Sequence, residues 1–155
     1  MWQKHCNSER RKSSNLQFSI FSIVLVTIVV LAAILRLWWI GQYPAGLNAD
    51  EAAIGYNAYS LIQTGKDEYG NWFPLAFTSF GDFKPGLYFY IVLPFVATFG
   101  LNELAVRLPS ALLGIGTVVL IYFLAKQLFR NQWVGLSAAF LLAITPWHVA
   151  FSRGS

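Results

Sequence analysis

The chain has 155 residues, a length that would suit one soluble domain, but 56% of them are hydrophobic and only 12% are charged. Such a composition cannot clothe a water-facing surface, so an ordinary soluble domain is excluded and an integral membrane protein is indicated. The net charge of +4 is unevenly placed, with Lys4, Arg10, Arg11 and Lys12 ahead of the first apolar run; that pattern speaks to membrane topology and not to nucleic acid, and no nucleic-acid partner is expected.

Residues 1–16 form this basic head, expected on the cytoplasmic side. Cys6 is the only cysteine, which excludes an intrachain disulfide, and His5 beside it reads as part of a solvated tail in preference to a metal site. A basic head before an apolar run is also found in signal peptides. Here the run is too long, and Arg36-Leu-Trp-Trp39 offers no small-residue cleavage site, so an uncleaved anchor is expected. Residues 18–40 are the first predicted span, long enough to cross a hydrocarbon core of ~30 Å. Trp38 and Trp39 suit the far interface, with Arg36 snorkelling to the same level.

Residues 41–107 hold Asp50, Glu51, Asp67, Glu68, Asp82 and Glu103, every acidic residue of the chain except Glu9. This segment is predicted to be one long extracytoplasmic loop. A helix is expected over Ala49–Gln63, stopped by Gly65, followed by a turn-rich loop through Gly70, Asn71 and Pro74. Leu87–Phe99 is apolar and aromatic but short, with Pro94 inside it, which favours an interfacial or re-entrant helix over a span. Two further spans are predicted at about 108–128 and 133–150, separated by Lys126 and Arg130, which fall on the cytoplasmic side if Leu87–Phe99 does not cross. Small residues in Leu113-Gly-Ile-Gly-Thr117 and Gly135-Leu-Ser-Ala-Ala139 read as helix packing. The expected fold class is therefore all-α integral membrane, multi-pass in the cell membrane, with about three transmembrane helices and an outer loop carrying two interfacial helices. Three spans and a loop hardly enclose a site, so residues 17–155 are expected to be the N-terminal part of a larger polytopic membrane domain.

The stretch Leu47–Tyr59 places Asp50 and Glu51 at the start of the first loop helix. Either the pair is a reaction centre at the membrane surface, or it serves the helix start. Asn48 with Glu51 three residues on fits a capping box, whereas Asp50, about 100° round the helix, cannot share that task and is the freer carboxylate. Lys84 sits just before the short apolar helix, where an ammonium would meet a phosphate at headgroup depth, or would simply snorkel. Arg107 suits a phosphate contact or, preferably, an i,i+4 pair with Glu103. Asp67 and Glu68 lie in a Gly-flanked loop and read as solvated, and His148 as an interfacial anchor. No Gly-rich phosphate loop, HExxH pattern or GxSxG elbow is present; no cofactor is implied, and a divalent-metal requirement is left open.

Four stretches together carry a resemblance: Asn48-Ala-Asp-Glu-Ala52, Phe83-Lys-Pro-Gly-Leu-Tyr88, Asn102-Glu-Leu-Ala-Val-Arg-Leu-Pro-Ser-Ala111 and Thr145-Pro-Trp-His-Val-Ala-Phe-Ser-Arg153. In this order the chain resembles the N-terminal part of polytopic glycosyltransferases related to protein O-mannosyltransferases and lipid A aminoarabinose transferases. The resemblance implies that Asp50 and Glu51 belong to the active site, with Asp50 activating or positioning the acceptor. It also implies that Lys84 lies near the donor phosphate, although Gly86 stands where the family's Lys-Pro-Pro motif has its second proline, a departure expected to loosen the turn. Arg107 takes the place of the arginine in the family's Arg-Leu-Pro-Ser stretch and is counted with Lys84 as substrate-binding.

The implied function is inverting transfer of a sugar from a polyprenyl-phosphate donor to an acceptor hydroxyl of a lipid, glycan or protein, at the extracytoplasmic face and among membrane lipids. A second acidic site and a large outer domain would lie beyond Ser155, so this stretch alone is expected to be inactive. A transporter predicts charges within the spans, which Leu108–Leu124 and Trp133–Val149 lack apart from the terminal-region His148. A non-catalytic membrane assembly subunit is the third reading.

Overall fold

The computed structural model describes residues 2–43, 45–79 and 82–154, with side chains described from residue 19 onward except at 79 and 82. Among these residues the chain forms α1 (Trp2–Leu37), α2 (Ala49–Thr64), β1 (Ala76–Ser79), β2 (Asp82–Pro85), α3 (Leu87–Phe99), α4 (Glu103–Phe129), α5 (Gln132–Ile144) and α6 (Pro146–Arg153). The protein is mostly helical, as expected. With no Gly or Pro in residues 2–17 to stop it, α1 runs through the basic head instead of starting at residue 18. The side chains of Lys4, His5, Cys6, Arg10, Arg11 and Lys12 lie outside the described residues.

The apolar part of α1, Ser19–Leu37, and α4 are each long and apolar enough to cross a membrane. With α5 they pack round Ile28, Ala32, Val118, Tyr122, Leu136, Ala139 and Ala143. Their outer faces carry Ile23, Val26, Leu120, Leu124 and Leu141, all more than half exposed, a surface suited to lipid and not to water. Small residues let the backbones approach: a methyl group at Gly114 would lie 2.5 Å from Ser152 Cβ, so α4 and α6 could not meet as they do with any larger residue there. α1 ends at Leu37, short of the expected Ile40, because Trp39 takes a φ of 53° and turns the chain away.

The last predicted span, about 133–150, is not one straight helix. α5 and α6 meet at 59°, and only if they are counted as one bent span do the described residues hold a third. The cause is Pro146, which has no N–H for the carbonyl of Leu142 and pushes Thr145 to an extended ψ of 116°. Arg36 fills the gap. Its Nη1 donates to Ala143 O at 3.2 Å and Ala32 O at 3.1 Å, and its Nη2 donates to Leu142 O at 3.4 Å and to His148 Nδ1 at 2.7 Å. A guanidinium only donates, so Nδ1 of His148 accepts and the ring proton sits on Nε2. Arg36 is thus fully buried in the bundle instead of snorkelling, and His148 is its partner instead of a free anchor.

At one end of the bundle, α2, the hairpin and α3 pack on the first turns of α4 round Ile54, Ala58, Leu61, Phe77, Phe89, Val92, Val96, Ala105 and Val106. α3 has the predicted bounds, and its 13 residues rise about 20 Å, less than a hydrocarbon core of ~30 Å. The antiparallel hairpin lies where only turns were expected. Phe77 stacks on Phe89 with ring centroids 4.0 Å apart, and Tyr88 Oη donates to Val106 O at 3.0 Å. Of the pair expected to be solvated, Glu68 is exposed and Asp67 is not. Asp67 is buried and accepts from Tyr69 N, Asn71 N and Asn71 Nδ2, while Glu68 exchanges hydrogen bonds with Asn57 on α2. Burial pushes the Asp67 carboxyl up, but the donors from Asn71, Tyr69 and Gly70 outweigh it and hold its pKa below the usual value.

Candidate active site

The acidic pair owes its placement to the start of α2. Asn48 Oδ1 accepts from Glu51 N at 2.7 Å and Glu51 Oε2 accepts from Asn48 N at 3.1 Å, the capping box anticipated from sequence. Both carboxylates sit where the helix dipole favours negative charge. Adjacent residues point about 100° apart on a helix, and here the difference separates inside from outside. The Glu51 side chain is 1% exposed and that of Asp50 is 63% exposed.

Glu51 is buried against Arg107, whose side chain has no exposed surface. Arg107 Nε donates to Glu51 Oε1 and its Nη2 to Oε2, both at 2.9 Å, a two-pronged pairing that only a guanidinium makes. The same group donates to Ile40 O at 3.2 Å and Gly46 O at 2.6 Å, tying the connection between α1 and α2 to α4. The hydrogen-bonded partner is therefore Glu51, while Glu103, the i,i+4 partner preferred from sequence, acts on Arg107 through charge. Asn102 caps α4 by accepting from Ala105 N at 2.8 Å, so the helix starts at Glu103 and buries Arg107 in its second turn, facing α2.

Lys84 arrives from the hairpin. In the register Phe77↔Lys84 the two side chains share a face, so Lys84 lies on the side of the buried Phe77, while its neighbour Phe83 points outward and is exposed. From there the ammonium forms an ion pair with Asp50 Oδ1 across 34 residues of sequence. Gly86 does not loosen the turn as expected. Its N–H donates to Leu75 O at 2.9 Å, a bond no proline could make, and a methyl group there would lie 2.6 Å from that same oxygen. This departure from the Lys-Pro-Pro pattern anchors the lysine strand by another means.

All four predicted site residues are therefore close together in two pairs, Asp50 with Lys84 and Glu51 with Arg107, and the two pairs are joined through adjacent positions of one helix turn. Chemically this is an accessible carboxylate beside a cation, fixed from beneath by a buried ion pair. Among the described residues no group of three or more His, Cys, Asp or Glu converges as a metal site. Arg153, at the end of α6, was quoted only as part of a motif; it donates to Trp38 O at 2.9 Å and Tyr43 O at 3.3 Å, contacts that no sequence spacing announces.

The sequence profile of the dolichyl-phosphate-mannose-protein mannosyltransferases matches residues 26–154. Two proteins of Bacillus subtilis (strain 168) are similar to the chain. One, named "Putative mannosyltransferase YycA", is 32% identical over 140 residues, which cover 86% of this chain and 18% of the relative. The other, "Putative mannosyltransferase YkcB", is 29% identical over 134 residues, covering 84% and 18%. The chain thus spans less than a fifth of the length of either. No solved structure matches it. With a family profile covering most of its length and its long apolar helices, the chain belongs to the dolichyl-phosphate-mannose-protein mannosyltransferase family of membrane proteins.

Proposed function

We propose that the chain forms part of the catalytic centre of a membrane glycosyltransferase that moves a sugar from a polyprenyl-phosphate donor to an acceptor hydroxyl. Mannose is the sugar named in the family and in both relatives. The observation that carries this reading is the exposed Asp50 carboxylate beside the Lys84 ammonium at the end of the bundle. Asp50 takes the proton of the acceptor hydroxyl as its oxygen bonds to the sugar's anomeric carbon. The bond from that carbon to the phosphate oxygen breaks, the electron pair stays with the phosphate, and Lys84 stabilises the charge it gains. Attack opposite the leaving phosphate is a single displacement and inverts the anomeric centre. Glu51 and Arg107 position the pair instead of meeting substrate, since both are buried in each other's contacts.

The site is assigned to the extracytoplasmic face because the basic head favours the cytoplasm and α1 then carries the chain across. Cysteine labelling of the whole protein in a Cys6-free background tests this. A cysteine at Asn102 should react from outside and one at Gln132 from inside; the reverse would move the site to the other face.

Lys84→Ala tests the donor. It should raise the KM for polyprenyl-phosphate mannose by roughly tenfold or more while the amount of folded protein hardly changes. A charge-assisted phosphate contact is stronger than a neutral hydrogen bond, whereas an ion pair that is partly wet at the surface adds at most about 1 kcal/mol to stability. Lys84→Arg should restore only part of the affinity, its planar fork differing in shape. An unchanged donor KM would reduce Lys84 to an interfacial anchor.

A further inference from the structure

We infer that Arg153 is a positioning residue for the Asp50 carboxylate, acting through the connection between α1 and α2. This inference rests on the proposed role of Asp50. The connection leaves α1 at Leu37 and enters α2 through the Asn48 cap, so its path decides where the first turn of α2 presents its acids. It has little regular structure of its own to hold it. Turn bonds run from Ile40 N to Leu37 O and from Gln42 N and Tyr43 N to Trp39 O.

Two guanidinium groups hold the rest. Arg107, from α4, takes the carbonyls of Ile40 and Gly46. Arg153, from α6, takes those of Trp38 and Tyr43, and its Nη1 reaches Leu35 O at 3.5 Å. The two grips alternate along the segment, on Trp38, Ile40, Tyr43 and Gly46. Arg153 also stands at the C-terminal end of α1, where unpaired carbonyls and the helix dipole both favour a cation.

A backbone feature of the segment shows that it is held in place. Trp39, between the first two gripped carbonyls, has a φ of 53°, a conformation that bulky residues keep only where their surroundings impose it. The chain just past Arg153 also comes near Glu51, for a methyl group at Gly154 would lie 3.7 Å from Glu51 Oε1. The end of α6 is therefore fixed to the connection through Arg153 and lies near the turn that bears Asp50. α6 itself is seated in the bundle through the Ser152 contact with Gly114 and the His148 bond to Arg36.

Release of Arg153 leaves carbonyls that water can reach, so folding should suffer little, whereas a carboxylate displaced by ~1 Å can lose up to ~10²-fold in rate. The test uses the whole protein in membranes, with radiolabelled polyprenyl-phosphate mannose as the probe and rates normalised to folded protein. Arg153→Gln should lower kcat by roughly tenfold with the donor KM changed by less than about twofold. Arg153→Lys, which keeps the charge but is shorter and lacks the second nitrogen that reaches Leu35 O, should fall between. In an Asp50→Asn background, Arg153→Gln should change the residual rate by less than about twofold, because the group it positions no longer takes a proton.

An equal loss in both backgrounds would make Arg153 merely structural and overturn the inference, as would the absence of any loss in the native background. If Arg153→Gln does not fold, the same cycle run with Arg153→Lys decides by the same two criteria. Full activity of Asp50→Asn alone would instead defeat the proposed role of Asp50, an outcome separate from either result at Arg153.

Discussion

Arg107→Ala is expected to cost about 3–5 kcal/mol of folding stability, the usual consequence of leaving one member of a buried ion pair without its partner. Glu51 is 1% exposed and cannot turn to water without breaking the cap it shares with Asn48. The substitution also strands the carbonyls of Ile40 and Gly46. Against a total stability of roughly 5–15 kcal/mol, such a loss should remove most of the protein that survives mild heating in detergent, read as monodisperse material after a temperature series. Arg107→Lys should recover part of it, since an ammonium keeps the charge but not the fork. The double variant Glu51→Gln with Arg107→Met should be more stable than Arg107→Ala alone, because it buries no unpaired charge and keeps a side chain able to cap. A melting temperature unchanged in Arg107→Ala would show that the pair does not hold this end of the fold.

The membrane helices were legible because hydropathy reports burial in lipid directly, and α2 was legible because Asn48 and Glu51 advertise its cap. α3 matched its prediction residue for residue, bounded by Gly86 and Gly100. The break at Thr145 was hidden inside an apolar run, where counting hydrophobic residues outweighed the single proline that causes it. The start of α4 was placed too late for the related reason that Leu108 begins the apolar run, whereas Asn102 begins the helix. The hairpin was missed although Gly81 stands in the sequence between Ala76–Ser79 and Asp82–Pro85, since runs this short give no firm period.

The site was partly legible in a different sense. Residue type and resemblance named Asp50, Glu51, Lys84 and Arg107, but not who pairs with whom. A local rule joined Arg107 to Glu103, four residues away, and the fold joined it to Glu51, 56 residues away. Periodicity along a helix cannot report a partner on another helix. The same limit applies to Arg36, whose snorkelling looked natural beside two tryptophans until α5 and α6 supplied buried carbonyls and a histidine. It applies equally to Lys84, whose partner lies 34 residues upstream on a different element.

The second large effect follows from the division of labour inside the acidic pair. Asp50→Asn keeps the volume and the hydrogen-bonding reach of the side chain but removes its charge and its capacity to take a proton. General-base assistance is typically worth ~10²- to 10⁴-fold in rate, so sugar transfer should fall by that order. The side chain is 63% exposed and its ion pair with Lys84 is partly wet, so folding should be almost unaffected. Glu51→Gln should behave in the opposite way. It can still cap α2, but it deprives the buried Arg107 of its counter-charge, and its loss of activity should follow its loss of folded protein.

Transfer of radiolabelled mannose from polyprenyl-phosphate mannose by membranes carrying the whole protein, normalised to folded protein, separates these two roles most directly. Asp50→Asn should transfer at least ~10²-fold more slowly while Glu51→Gln, per folded molecule, stays within about tenfold of the unaltered protein. An Asp50→Asn variant that transfers mannose at the unaltered rate would contradict a catalytic role for Asp50.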